Sequence, residues 1–144
     1  MERPRNPVWS GNEQGFGITS GNKVKPGGGM MRAMVVEDEI LAAMHLEDQL
    51  ETLGIRSIGI AADSAEAARL SEHDPDLAFV DMNLRDGPTG TTIAARLAGL
   101  GVLVFYVTAN PSQLGEGVCH ALAVLGKPCL EADLKLALEQ IPLH

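Results

Sequence analysis

Four apolar runs in this chain each end on a residue able to do chemistry. Ala33-Met34-Val35-Val36 runs into Glu37-Asp38-Glu39, and Leu77-Ala78-Phe79-Val80 ends at Asp81. Val102 to Val107 is followed by Thr108-Ala109, and Ala121 to Leu125 by Gly126 and then Lys127-Pro128. If these ends meet, Glu37, Asp38 and Asp81 form a repulsive cluster that is costly until a cation neutralises it. Oxygen-only donors of this kind favour a hard divalent ion such as Mg2+, which keeps part of its water shell. Lys127 adds positive charge, and Thr108 adds a rotatable hydroxyl donor. The set suits attack of an aspartate on a phosphoryl group, with the cation and the lysine neutralising the phosphoryl oxygens. An aspartate needs no general base, because it is already ionised at neutral pH.

Each residue also has a plainer explanation. An acidic run such as Glu37-Asp38-Glu39 suits the solvated start of a helix, where the dipole favours negative charge. Asp81 taken alone fits a turn at a strand end, Thr108 is a good strand former, and Lys127 fits a solvated surface. The plainer explanations leave unaccounted for the arrival of all of them at corresponding ends of successive apolar runs.

The segments between those runs are helical in pattern. Ile40, Ala43, Leu46, Leu50 and Leu53 are spaced by three and four, with Gly54 where a helix C-terminal cap belongs. Ile55 to Ala61 reads as a strand. Asp63-Ser64-Ala65-Glu66 has the Asp-x-x-Glu pattern of a helix start and leads an Ala-rich helix to about His73. After the loop Asp86-Gly87-Pro88, Ile93, Leu97 and Leu100 mark another helix, and Leu134, Leu138 and Ile141 a final one. Asn110 to Cys119, with Pro111, Gly115 and Gly117, predicts only a weak helix. Five strands alternating with five helical segments, the strands apolar on both faces, predict a doubly wound α/β domain: a parallel sheet with helices on each side, in three layers. Such a sheet carries its site at the carboxyl ends of its strands, where the residues above stand.

Composition narrows the classes. The 144 residues carry a formal charge of −8. Residues 1–31 hold seven Gly, three Pro, four basic and two acidic residues, and read as a flexible, disordered head ending in Gly27-Gly28-Gly29. Met30-Met31 stands directly before the first strand, so the natural start is a candidate there. Residues 32–144 form one domain with seven basic and seventeen acidic residues. That surface repels phosphate backbones, which argues against direct DNA binding. No apolar run approaches the roughly twenty residues of a membrane span, and there is no signal-peptide core, so a cytoplasmic location is expected. Cys119 and Cys129 read as small apolar fillers. His45, His73, His120 and His144 are isolated from one another at metal-ligand spacing.

Val35-Val36-Glu37-Asp38-Glu39, Asp81-Met82-Asn83, Thr108-Ala109 and Lys127-Pro128 together resemble the receiver domain of bacterial two-component response regulators. The likeness in order and spacing covers essentially all of residues 32–143. It implies a flavodoxin-like sheet with strand order 2-1-3-4-5. It implies that Asp81 is the phosphoacceptor, taking a phosphoryl group from a phosphohistidine on a sensor histidine kinase or a histidine phosphotransfer protein. Asp38, Asp81 and the backbone carbonyl of Asn83 would bind Mg2+, with Glu37 acting through a metal-bound water. Thr108 would donate to the phosphoryl group and Lys127 would pair with it. Ala109 would leave room for its entry, and the Lys127-Pro128 bond would be cis. Such a domain promotes its own phosphorylation and dephosphorylation, rather than working as an ordinary enzyme.

One position departs from the family. Most receivers carry an aromatic residue three positions before the lysine, where this chain has Val124. The chain in this respect resembles atypical receivers that lack the aromatic switch and often stand alone, and the loose segment 110–120 is the expected responder to phosphorylation. Only Pro142-Leu143-His144 follow the last helix, so output is expected through an unidentified downstream protein. The alternatives are a phosphate sink or shuttle in a phosphorelay, a receiver-shaped binding module that is never phosphorylated, and a small-molecule phosphohydrolase. The last is disfavoured because Asp81-Met82-Asn83 lacks the second aspartate of an Asp-x-Asp motif.

Overall fold

The computed structural model describes residues 29–109 and 121–142, together with the backbone of 17–19 and 22–24. In the head, β1 (Gly17–Thr19) and β2 (Asn22–Val24) pair as a short antiparallel ladder. These six residues lie within the head expected to be flexible, and in the ladder their backbone groups satisfy one another. The packed domain starts at Met31, which is fully buried.

The domain alternates strand and helix. Its elements are β3 (Arg32–Val36), α1 (Ile40–Thr52), β4 (Arg56–Ala61), α2 (Ser64–Ser71), β5 (Leu77–Val80), α3 (Gly90–Gly99), β6 (Leu103–Thr108), β7 (Ala121–Gly126) and α4 (Glu131–Leu138). The five strands lie in the order β4-β3-β5-β6-β7, every pair parallel. Numbered within the sheet, this is the expected order 2-1-3-4-5. The weak helix expected over Asn110 to Cys119 lies outside the described residues.

The period of two along each strand divides the core between the two faces of the sheet. Met31, Ala33, Val35, Leu77, Phe79, Phe105 and Val107 face one way, against Ala43, Leu46 and Leu50 of α1 and Leu134, Ala137 and Leu138 of α4. Met34, Val36, Ala78, Val80, Val104 and Tyr106 face the other, against Ala67 of α2 and Ile93, Ala94 and Leu97 of α3. Helices thus cover both faces, as the two-sided apolar strands require. Phe79 and Phe105, partners in the β5–β6 register, stack with ring centroids 4.9 Å apart. With so few aromatics in the domain, that pair is the main ring contact of a core otherwise built from aliphatic side chains.

Local signals set the helix ends. Gly54 takes φ 84° after α1, its N–H bonding to Glu51 O while Ile55 N–H reaches Leu50 O, the two-bond closure that a left-handed glycine allows. At the start of α2, Asp63 accepts the Glu66 N–H at 2.9 Å, and the Glu66 carboxylate accepts the Ala62 N–H at 2.8 Å. The Glu66 amide, followed by the Arg85 guanidinium, holds the Asp63 carboxyl below the usual carboxylate range. A lowered native value means that this stabilisation is complete above the unfolded value of about 4 and is lost as pH falls through the native one. Asp63→Ala is accordingly expected to lower the melting temperature by a few degrees at pH 7, and by less as the solution is acidified. Thermal melts of both proteins across the acid range check this.

Candidate functional site

The sheet register lines up the four strand ends. Val36 pairs with Ala61 on one side and Val80 on the other, Val80 pairs with Tyr106, and Thr108 pairs with Gly126. The residues that follow therefore emerge along one edge. The Glu37 N–H still bonds Ala61 O at 2.8 Å, and the Asp81 N–H bonds Val36 O at 2.9 Å. Both carboxylates are carried on ladder hydrogen bonds rather than on free loops.

Their side chains are arranged alike. Glu37 gives Oε1 to Lys127 Nζ at 2.6 Å and accepts the Glu39 N–H on Oε2 at 3.0 Å. Asp81 gives Oδ2 to Lys127 Nζ at 2.9 Å and accepts the Asn83 N–H on Oδ1 at 3.2 Å. Each buried carboxylate thus divides its oxygens between the shared ammonium and a backbone amide two residues on. Asp38 is exposed and completes a trio: one oxygen of each of Glu37, Asp38 and Asp81 lies within 4.8 Å of the other two. Glu39, exposed, reaches Lys127 at 3.5 Å. Thr108 is buried at the end of β6, and Ala109 beyond it is exposed. Asn83 is exposed directly after the Asp81 turn.

The electrostatics favour a cation. Burial pushes the Glu37 carboxyl above its ordinary value, opposed by the Lys127 hydrogen bond and the Glu39 amide and reinforced by the charge on Asp81. Burial works to lower Lys127, but its hydrogen bonds to Glu37 and Asp81 outweigh that and keep it above the usual lysine value. One ammonium therefore serves three carboxylates at its contact distance while Asp38 adds a further charge beside them. A pure oxygen donor set with excess negative charge and a solvated rim matches Mg2+, which binds through one or two carboxylates and retains waters.

The loop after Lys127 is also braced. The Lys127-Pro128 bond is cis, as the resemblance implies, and Gln49 of α1 donates from Nε2 to Cys129 O at 2.8 Å. Cys129 is a buried free thiol, pushed up to about 11 by burial and by Asp133, so it stays protonated and acts as filler. Cys119 lies outside the described residues. Val124, in the position of the absent aromatic, packs half-buried on the cluster that holds the fully buried Tyr106, its partner in the β6–β7 register. No helix among the described residues is long and apolar enough to cross a membrane.

Sequence reasoning missed several contributors. Gly90 opens α3, its N–H bonding Met82 O at 3.0 Å. A Cβ placed on it would stand 2.2 Å from Asp81 O and 2.5 Å from Met82 Cα. Only glycine lets α3 approach the backbone that carries Asp81. Gly90→Ala is expected to cost about 2 kcal/mol through overpacking and to displace Asp81, read as a lower denaturant midpoint. The glycine stood in the sequence, but its close neighbour is a backbone segment that only the packing of α3 on β5 supplies. Arg85 and Asp86 stand in a loop and carry no local signal of the contacts they make. Arg85 bridges to Asp63 at 2.6 Å and to Glu66 at 3.4 Å, and Asp86 accepts the Ser64 N–H at 3.1 Å and the Thr89 hydroxyl at 2.7 Å.

No protein-family model matches the chain. Comparisons with individual proteins do. The Phyllosphere-induced regulator PhyR of Methylorubrum extorquens is 32% identical over 111 residues, which is 74% of this chain and 42% of that protein. The chain thus spans less than half the length of that relative. A solved signal receiver domain of a modulated diguanylate cyclase from Desulfovibrio desulfuricans shares 30% identity, with a TM-score of 0.68, over 76% of this chain and 91% of its own. The anti-anti-sigma factor PhyR of Bartonella quintana superposes with a TM-score of 0.69 at 29% identity, over 76% of this chain and 46% of its own. Order of strands, position of the acidic edge and these likenesses lead to one assignment: the chain belongs to the receiver domains of response regulators.

Proposed function

We propose that this receiver domain accepts a phosphoryl group on Asp81 from a phosphohistidine of a sensor histidine kinase or histidine phosphotransfer protein, and that the acyl phosphate alters its affinity for a downstream protein. A single observation carries the reading: Asp81 stands buried at a strand end, one oxygen on Lys127, inside a carboxylate trio that is short of positive charge. In the transfer, a carboxylate oxygen of Asp81 forms the new P–O bond as the P–N bond of the phosphohistidine breaks. The electron pair leaves on the imidazole nitrogen, which takes up a proton. Attack by water on the aspartyl phosphate later returns the carboxylate and inorganic phosphate.

The chain's own residues have defined parts in this reading. Lys127 moves from the Asp81 carboxylate to a phosphoryl oxygen, staying protonated because Glu37 remains its partner. The Thr108 hydroxyl donates to a second phosphoryl oxygen, and the small Ala109 leaves the approach open. Asp38, Asp81 and the Asn83 carbonyl would hold Mg2+, with Glu37 reaching it through water. When bound, Mg2+ supplies charge neutralisation for the transferring oxygens. PhyR of Bartonella quintana carries the description anti-anti-sigma factor, which supports output through a protein partner here as well.

Acetyl phosphate tests the chemistry without a kinase. With Mg2+ the intact protein is expected to gain the mass of one phosphoryl group, and with EDTA none. A folded chain that gains none in Mg2+ overturns the proposal and favours a receiver-shaped binding module. A pull-down comparing untreated and beryllofluoride-loaded protein then identifies the partner.

A further inference from the structure

We propose that Arg85 is a positioning residue for the acidic site: by clasping the start of α2 it holds the Asp81–Leu84 segment where the Asp81 carboxylate and the Asn83 carbonyl can serve a divalent cation. The inference rests on the function proposed above and adds a residue to it.

The crossing from β5 to α3 is anchored at two ends. The inner anchor is backbone: Asp81 N–H to Val36 O at 2.9 Å, Gly90 N–H to Met82 O at 3.0 Å, and the contact of Gly90 with the Asp81 carbonyl. The outer anchor lies on a different element. Arg85 N–H reaches Ala62 O at 3.3 Å, its guanidinium bridges Asp63 at 2.6 Å and Glu66 at 3.4 Å, and Asp86 takes the Ser64 N–H at 3.1 Å. A small ladder between Leu84 and Gly87, with both N–H···O bonds at 2.9 Å, makes the tip one rigid unit. Asn83 sits between the anchors, two residues from each of Asp81 and Arg85, and its N–H bonds to Asp81 at 3.2 Å. Where the tip is held therefore sets where the Asn83 carbonyl points and how its amide orients the Asp81 carboxylate.

The receiving carboxylates are already immobilised. Asp63 is bound to the Glu66 N–H and Glu66 to the Ala62 N–H, so the guanidinium lands on a fork with little freedom left to lose. Two acceptors on separate residues match the planar, several-donor guanidinium and not the single point of an ammonium. Arg85 itself is 58% exposed, and an exposed ion pair contributes little to global stability. A contact of small global worth that fixes the far end of a site loop acts on local opening of that loop.

Magnesium affinity of the full chain, measured by titration calorimetry, separates the outcomes. Arg85→Ala is expected to bind Mg2+ about ten-fold more weakly, the low end of what outer partners of a metal site contribute. Its melting temperature without metal should stay within a few degrees of the parent, and the Asn83 and Leu84 amides should exchange faster. Arg85→Lys is expected to recover part of the affinity. An unchanged Mg2+ affinity in Arg85→Ala overturns the clasp and leaves the proposed function standing. Weakened binding with a large fall in melting temperature and no recovery by Lys also overturns it, because the residue then serves folding alone. Failure of the unsubstituted chain to bind Mg2+ overturns both.

Discussion

Asp81→Asn is expected to take up no phosphoryl group from acetyl phosphate in Mg2+, and in EDTA to be more stable than the parent by about 1 kcal/mol. The first expectation follows from the nucleophile: an amide oxygen forms no stable acyl phosphate. The second follows from the charges. In the metal-free parent, Glu37 and Asp81 are both buried and share one ammonium, with Asp38 close by. Like charges this close repel one another, and at Glu37 burial outweighs what the lysine returns. Removing the charge on Asp81 leaves Lys127 paired with Glu37 at 2.6 Å and relieves the repulsion. Mg2+ is expected to reverse the order, because a ligand stabilises the form that binds it by an amount that grows with the logarithm of its concentration above Kd. Denaturant midpoints of both proteins in EDTA and in Mg2+ read all of this. Persisting phosphoryl uptake by the variant would place the acceptor elsewhere, and a loss of stability in EDTA would contradict the charge balance described for the cluster.

Lys127→Met removes the opposite charge from the same cluster and is expected to destabilise the metal-free domain by about 3 kcal/mol at pH 7, the cost of leaving buried carboxylates without their cation. The deficit has a defined pH dependence. Burial already holds Glu37 above its ordinary value, and loss of the ammonium pushes it further up. The native variant then binds protons that its unfolded chain does not, so its stability rises as pH falls from 7 toward 5. The parent has the shift on Lys127 as well: a raised lysine contributes fully below the unfolded value of about 10.4 and is lost only as pH climbs through the native one. The gap between the two proteins should therefore narrow on acidification. Mg2+ should narrow it too, by supplying the missing positive charge. A gap independent of both pH and Mg2+ would mean that the lysine contributes through packing of its stem rather than through charge.

The alternation of strands and helices was legible because two periods are written plainly in the chain. Leu77 to Val80 is a continuous apolar run, and such a run reads as a strand buried on both faces; Ala43, Leu46 and Leu50 repeat at helical spacing, and all three are buried. The site was legible for the same reason. In a parallel doubly wound sheet every strand delivers its C-terminal residue to one edge, so Glu37, Asp81, Thr108 and Lys127 could be placed together from their positions after apolar runs. The short β1–β2 pair escaped notice because three-residue strands among glycines carry no period to read.

Sequence by itself thus determined the type of each described element of the packed domain, the sheet edge at which the candidate site lies and the residues placed along it, since these depend on side-chain type and local spacing. Only the tertiary structure decided how the charges are divided. That Lys127 lies between Glu37, Asp81 and Glu39, that Gly90 must lack a side chain to pass the Asp81 carbonyl, and that Arg85 reaches back to Asp63 and Glu66 are contacts across 19 to 90 positions or between packed backbones. Such contacts depend on how whole strands and helices pack against one another, whereas the local spacing of residues records only which face each side chain takes.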